Sequence, residues 1–96
     1  MVSYALSGEA DNDIESIARQ SVKQWGRAKA EDYLASLHDL FRRLSEFPDL
    51  GRNAERFRPG MFRIEHASHS VFYRHTSEGV LIVRVLHQRM LPENYL

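Results

Sequence analysis

MFRIEHASHSVFYRHTSEGVLIVRVLH, residues 61–87, is the stretch on which the fold turns. It divides into three runs rich in β-branched and aromatic residues, the composition that suits a pleated, half-buried surface. Met61 to His66 reads as one strand and His69 to His75 as a second, separated by a tight turn at Ala67-Ser68. Thr76-Ser77-Glu78-Gly79 reads as a hairpin turn, with Gly79 available for positive φ. Val80 to Leu86 is apolar on both faces except at Arg84, which predicts the most buried strand. Three such strands in succession predict an antiparallel meander.

Upstream, the apolar period changes. Val2, Tyr4 and Leu6 alternate with Ser3 and Ala5, the pattern of a short half-buried strand. Ser7 then stands at an N-cap position, with Glu9, Asp11 and Asp13 in the first turns, where acids favour the helix dipole. Ala10, Ile14, Ile17, Ser21 and Trp25 recur at spacings of three and four and predict a helix from about Gly8 to Trp25, ended by Gly26 at a left-handed C′ position. Trp25 is expected to anchor the core at the hairpin turn.

A second helix starts at about Arg27 and carries a wide stripe of Ala30, Tyr33, Leu34, Leu37, Leu40, Phe41 and Leu44. Pro48 disfavours helix at Phe47, so it should stop near Glu46. Residues 48–60 form the longest loop, and the tail from Gln88 is expected as a short helix or an extended arm. The order β-α-α-β-β-β gives an α+β fold, with a helical hairpin packed on one face of the sheet and the first strand joining at an edge.

Ninety-six residues are expected to make one domain, 1–96, with a modest core, since chains this size bury roughly 60–70% of their unfolded surface. There is no cysteine, so neither disulfides nor thiolate metal sites support the fold. No apolar run approaches the ~20 residues of a membrane span, and the first residues lack the charged and apolar regions of a signal peptide, so the expected location is the cytoplasm with no membrane partner.

Formal net charge is zero, which argues against direct nucleic-acid binding through a broad electrostatic footprint. Residues 1–48 hold six basic and eight acidic side chains, whereas residues 49–96 hold seven basic and five acidic. All seven of those basic residues are arginine, the side chain that best pairs bidentately with carboxylate or phosphate.

Three constellations could carry chemistry. His66 and His69 have an H-x-x-H spacing, but in a strand and turn the rings are expected to point apart, so no metal site is predicted. Arg58, Arg63, Arg74, Arg84 and His87, with Glu65 as base, have the residue types needed to cleave RNA by 2′-OH attack. The alternative is that Arg74 and Arg84 sit on the open side of the sheet, paired with carboxylates, and this is the favoured reading. Phe72 and Tyr73 face opposite sides of a strand, so they cannot form one stacking platform; one is expected in the core and the other toward a partner. Nucleotide-binding glycine loops and serine-hydrolase motifs are absent from the sequence.

The ordered elements Leu6-Ser7 with Ala10 and Ile14, Trp25-Gly26, Pro48-Asp49-Leu50-Gly51, Arg58-Pro59-Gly60, His69-Ser70-Val71-Phe72-Tyr73-Arg74 and Ile82-Val83-Arg84-Val85-Leu86-His87-Gln88-Arg89-Met90 together resemble ParE-type toxins of the RelE/ParE superfamily. The resemblance implies the toxin of a type II toxin–antitoxin module, neutralised by a ParD-like antitoxin and acting on DNA gyrase without enzymatic activity or cofactor. The RelE side of the superfamily implies the alternative, a ribosome-dependent mRNA interferase. The chain departs from it in having no lysine after Lys29 and no tyrosine close to His87.

On this reading Tyr33, Leu34, Leu37, Phe41, Arg58, Arg63, Arg74 and Arg84 are the expected antitoxin-binding residues. The expected target-binding residues are Arg89, Met90, Leu91 and Tyr95, because the tail's apolar load exceeds that of a frayed terminus.

Overall fold

The computed structural model describes residues 3–96. Strand β1 (Ser3–Leu6) leads into helices α1 (Gly8–Trp25) and α2 (Arg27–Glu46). A 3-10 turn at Pro48–Leu50 and a two-residue strand β2 (Arg52–Asn53) precede the meander β3 (Phe62–His66), β4 (His69–Thr76) and β5 (Gly79–His87). A second 3-10 turn, Pro92–Asn94, lies in the tail. The sheet order is β1-β5-β4-β3-β2, with β1 parallel to β5 and the other pairs antiparallel.

The α+β class and the edge position of the first strand agree with the sequence pattern. The addition is β2, which sets Arg52 beside Arg63 and Asn53 beside Phe62 within the expected long loop. Two residues are too few to show an alternating period. Val2, expected to open the first strand, lies outside the described residues.

The helix ends follow from local chemistry. Ser7 Oγ accepts the Ala10 N–H at 3.0 Å, and Gly26 takes φ 86° between the two helices. Ala10, Ile17, Leu37, Phe41 and Leu44 on the helices pack against Val71, Tyr73, Val80 and Ile82 on the sheet. Fully burying a Leu or Phe side chain contributes about 1.5–3 kcal/mol. Leu37 and Phe41 are 0% exposed, which corrects their assignment to a partner surface. The stripe is wide because α2 faces the sheet and α1 at once.

The opposite face of the sheet is covered as well. Ala54, Met61, Phe72, Val83 and Leu86 form a second cluster, against which Phe57 from the 54–61 loop and Met90 and Leu96 from the tail are packed. Phe72 and Tyr73 do face opposite sides, but both are 0% exposed, so neither is offered to a partner. Tyr73 is pinned on the helix side: its hydroxyl donates to the Pro48 carbonyl and accepts the Gly51 N–H, each at 2.8 Å. A Cβ on Gly51 would lie 2.5 Å from that hydroxyl, so only glycine lets the loop approach so closely.

β1 covers β5 only from Gly79 to Ile82. Beyond that point α1 takes over the edge. The Ser7 N–H reaches the Ile82 carbonyl at 2.9 Å, and Ser7 Oγ donates to the Val83 carbonyl at 2.7 Å. Here β5 bulges, its register passing from Tyr73↔Ile82 to Phe72↔Arg84 with Val83 as the extra residue. Arg84 grips Asp13 through Nε and a terminal nitrogen at 2.8 and 2.9 Å, and the Val85 N–H donates to the same carboxylate at 2.9 Å. Their side chains are 12% and 13% exposed.

Asp13→Ala leaves the guanidinium and the Val85 N–H without their acceptor, an expected loss of about 3 kcal/mol in urea unfolding. Glu9, 59% exposed and 3.5 Å from Arg84, should cost less than about 1 kcal/mol when replaced by alanine. Equal losses in the two variants would show that the Asp13 pair does not hold the edge.

Candidate functional site

The proposed partner arginines divide into engaged and available groups. Arg84 is engaged by Asp13, and its guanidinium also lies 5.6 Å from the Tyr95 ring and donates to the Tyr95 carbonyl at 3.1 Å. Hydrogen bonding to Asp13 first, then the Asp13 and Glu9 charges against opposing burial, raises the Arg84 pKa above its ordinary value. Arg63 donates to Glu65 at 2.8 Å and to Ser70 at 3.2 Å, and it stands over the Phe72 ring at 5.3 Å. These pairings correct the assignment of Arg63 and Arg84 to partner carboxylates, because each guanidinium already has one. Among the described residues, Arg58 and Arg74 make no side-chain hydrogen bond or ion pair, so the carboxylate pairing expected for Arg74 is absent. Arg74 lines a cavity of about 480 Å³ with Pro59, Gly60, Phe62, His75, Thr76 and Leu81.

Glu65, the candidate base, also accepts from Ser70 at 2.9 Å and pairs with Arg52 at 2.8 Å. Burial raises its pKa, but the hydrogen bonds from Arg63 and Ser70 and the charges of Arg63 and Arg52 prevail and hold it below the usual carboxylate range. Such a carboxylate is a weak base. Arg74 stands opposite Leu81 and His69 opposite His87, so Arg74 and His87 occupy opposite ends of the β4–β5 ladder. At ~3.3 Å per residue they are about 20 Å apart.

The histidines lie differently from the sequence expectation. A two-residue turn sets His66 directly opposite His69, so the rings share one face instead of pointing apart. Both lie 5.6 Å from the Tyr33 ring. Tyr33 Oη is 2.6 Å from His69 Nδ1, and Ser36 Oγ is 2.8 Å from His66 Nε2. Among the described residues, no group of three or more histidine, aspartate or glutamate side chains could hold a metal ion.

His69 is buried and meets His87 edge to face at 5.4 Å. Burial first, then the His87 and His66 charges, lowers its pKa from 6.5 to about 4. Burial raises the Tyr33 hydroxyl pKa, opposed by a bond from Ser68. Tyr33 and Leu34 are half-buried against the core. Trp25 is 44% exposed, edge-on to Tyr33 at 6.0 Å, which corrects its expected burial: only one edge of the indole is covered, at the last residue of α1. A cleft of about 550 Å³ opens there between α1 and the ends of β4 and β5, a feature that sequence reasoning missed because its walls come from segments far apart in the chain.

In the tail, Met90 is half-buried in the second cluster and Tyr95 is held by Arg84. Arg89 is exposed and Leu91 is 59% exposed. Leu96 packs against the second cluster on the sheet.

The family described as "ParE toxin of type II toxin-antitoxin system, parDE" matches residues 4–92. Toxin ParE1 of Mycobacterium tuberculosis is 41% identical over 88 residues, covering 91% of this chain and 90% of that protein. Toxin ParE of Escherichia coli is 35% identical over 95 residues, covering 94% and 88%. A chain of the chromosomal ParDE system from P. aeruginosa shares the fold with a TM-score of 0.74 at 20% identity, covering 91% of this chain and 96% of that one.

The depressed His69 makes stability depend on pH. Below pH 6.5 the unfolded imidazole binds a proton that the folded one refuses down to about pH 4, so its contribution is full above 6.5 and is lost as pH falls across that window. At 1.36 kcal/mol per unit the loss is up to about 3 kcal/mol. His69→Asn should therefore lose less stability than the wild type between pH 7.5 and pH 4 in urea unfolding. Parallel declines would remove His69 as the cause.

Proposed function

The chain belongs to the ParE toxin family of type II toxin–antitoxin systems, and from that membership we propose that a ParD-like antitoxin holds it silent and that, once free, it inhibits DNA gyrase in the cytoplasm without catalysing a reaction of its own. The dispersal of the candidate catalytic groups carries the non-enzymatic part. Cleaving one phosphodiester needs a base, an acid and a cation around one phosphorus atom. Here Glu65 is tied to Arg63 and Ser70, Arg84 is tied to Asp13, and most of the β4–β5 ladder separates Arg74 from His87. What remains accessible suits contact with a protein: the arginines Arg58 and Arg74, and the half-buried Tyr33 and Leu34. Leu91, with the rim residues Arg89 and Tyr95, forms the surface we assign to the target, with Met90 as its support from below.

Purified chain is expected to inhibit gyrase supercoiling, to be relieved by its antitoxin, and to leave ribosome-bound message intact. Codon-phased cuts that vanish in His87→Gln would overturn the proposal in favour of an mRNA interferase. Leu91→Asp should abolish toxicity while antitoxin affinity and melting temperature stay near wild type. Loss of antitoxin binding in parallel would show that the tail serves the complex and not the target. Arg58→Glu or Arg74→Glu should raise the antitoxin dissociation constant about five- to tenfold and weaken its salt dependence; unchanged binding in both would remove these arginines from the interface.

A further inference from the structure

Of the cleft between α1 and the ends of β4 and β5, the reading above uses only Arg89. One wall is a single helical face, where Ser16, Gln20 and Gln24 recur every four residues beside Ile17, ending at the indole of Trp25. The other wall is His69, His87 and Arg89. We propose that this cleft receives an acidic side chain from a protein segment, with the carboxylate at Arg89 and His87 and its aliphatic stem against Trp25 and Ile17.

Four observations carry the proposal. No aspartate or glutamate lines the cleft, so its only formal charge is positive. The Arg89 N–H donates to His87 Nδ1 at 3.1 Å, which places the proton of the neutral ring on Nε2 and makes that nitrogen a donor. His69 is 8% exposed and lines the cleft, its Nδ1 already occupied by Tyr33 Oη. No buried side-chain nitrogen or oxygen among the described residues lacks a partner, so the other His69 nitrogen opens to the cleft.

Size and charge then select the occupant. About 550 Å³ exceeds what one side chain fills and falls within the range of a binding pocket, so a segment enters and not a lone ion. One permanent cation, Arg89, suits a monoanion, whereas a phosphate dianion calls for clustered arginines. Gln20 and Gln24 offer amides to the main chain of that segment. The proposal rests on the preceding reading in one respect: the segment is then the antitoxin's, and its carboxylate covers Arg89, a residue of the assigned target surface, so that neutralisation includes direct competition.

The chain has one tryptophan, Trp25, so its emission reports on the cleft directly. Full-length protein is titrated with N-acetylglutamate amide, N-acetylglutamine amide and inorganic phosphate, following Trp25 emission and the ring resonances of His69 and His87. The glutamate probe should saturate, the glutamine probe should bind about tenfold more weakly, and Arg89→Gln should weaken the glutamate probe about tenfold with an unchanged melting temperature. The remote Arg56→Gln, at an exposed position of the 54–61 loop, should bind it as the wild type does. Equal response to glutamate and glutamine, tighter binding of phosphate, or an unaffected Arg89→Gln would each overturn the proposal. Binding of the glutamate probe by a chain that leaves gyrase untouched would uphold the cleft and sink the preceding reading; a gyrase inhibitor that ignores the probe would sink the cleft alone.

Discussion

The unfinished edge of β5 is the constraint on which the structure depends. β1 pairs with β5 over four residues and stops, while β5 runs on to His87. An open edge presents main-chain donors and acceptors to any passing strand, and proteins cover such edges. Here the cover is the start of α1, where Ser7 supplies a donor from its main chain and another from its side chain, and Asp13 supplies the acceptor for the Val85 N–H. One hydroxyl caps the helix and seals the strand at once. The same contacts fix where α1 starts over the sheet, and hence where its far end stands beside His69 and His87. The cleft is downstream of the edge repair.

What was legible in the sequence divides along the same line. Periodicity reports which face of an element is apolar, and it set both helices and the three strands of the meander close to their observed limits. It does not report what covers that face. Leu37 and Phe41 read as surplus because a stripe facing both a sheet and a second helix is as wide as one awaiting a partner. Arg84 read both as carboxylate-paired and as partner-facing; the first reading holds, but its mate Asp13 lies 71 residues away, and no local pattern in the sequence names it. One of Phe72 and Tyr73 read as facing a partner because cover from the 54–61 loop and the tail, which buries Phe72, carries no periodic signal.

The motifs that carry the family resemblance prove to be joints of the backbone. Pro48 and Gly51 clasp the Tyr73 hydroxyl, Gly26 turns the hairpin, and Ser7 joins α1 to β5. In Arg58-Pro59-Gly60 the Gly60 N–H donates to Glu55 at 3.0 Å and the Arg58 carbonyl accepts from Met61 at 3.2 Å, holding the loop against the second cluster. Residues fixed by such geometry identify a fold and its family well. They say little about a target, because contact with another protein falls to exposed side chains, whose identity the backbone does not dictate.

The two available cationic sites also constrain how a partner reaches them. Arg74 follows Tyr73, whose ring is on the helix side, so it projects to the other face, at the Leu81 end of the ladder. The histidine cleft lies on the helix side at the His87 end. One flat interface cannot meet both. A partner that engages both must pass around an edge of the sheet while advancing about 20 Å along the strands, a distance of about six extended residues. A rigid globular surface does not follow such a path, whereas a segment that orders as it binds does, at the cost of its ordering entropy. The placement of the charges, more than their number, therefore favours a wrapping chain as the partner that engages both.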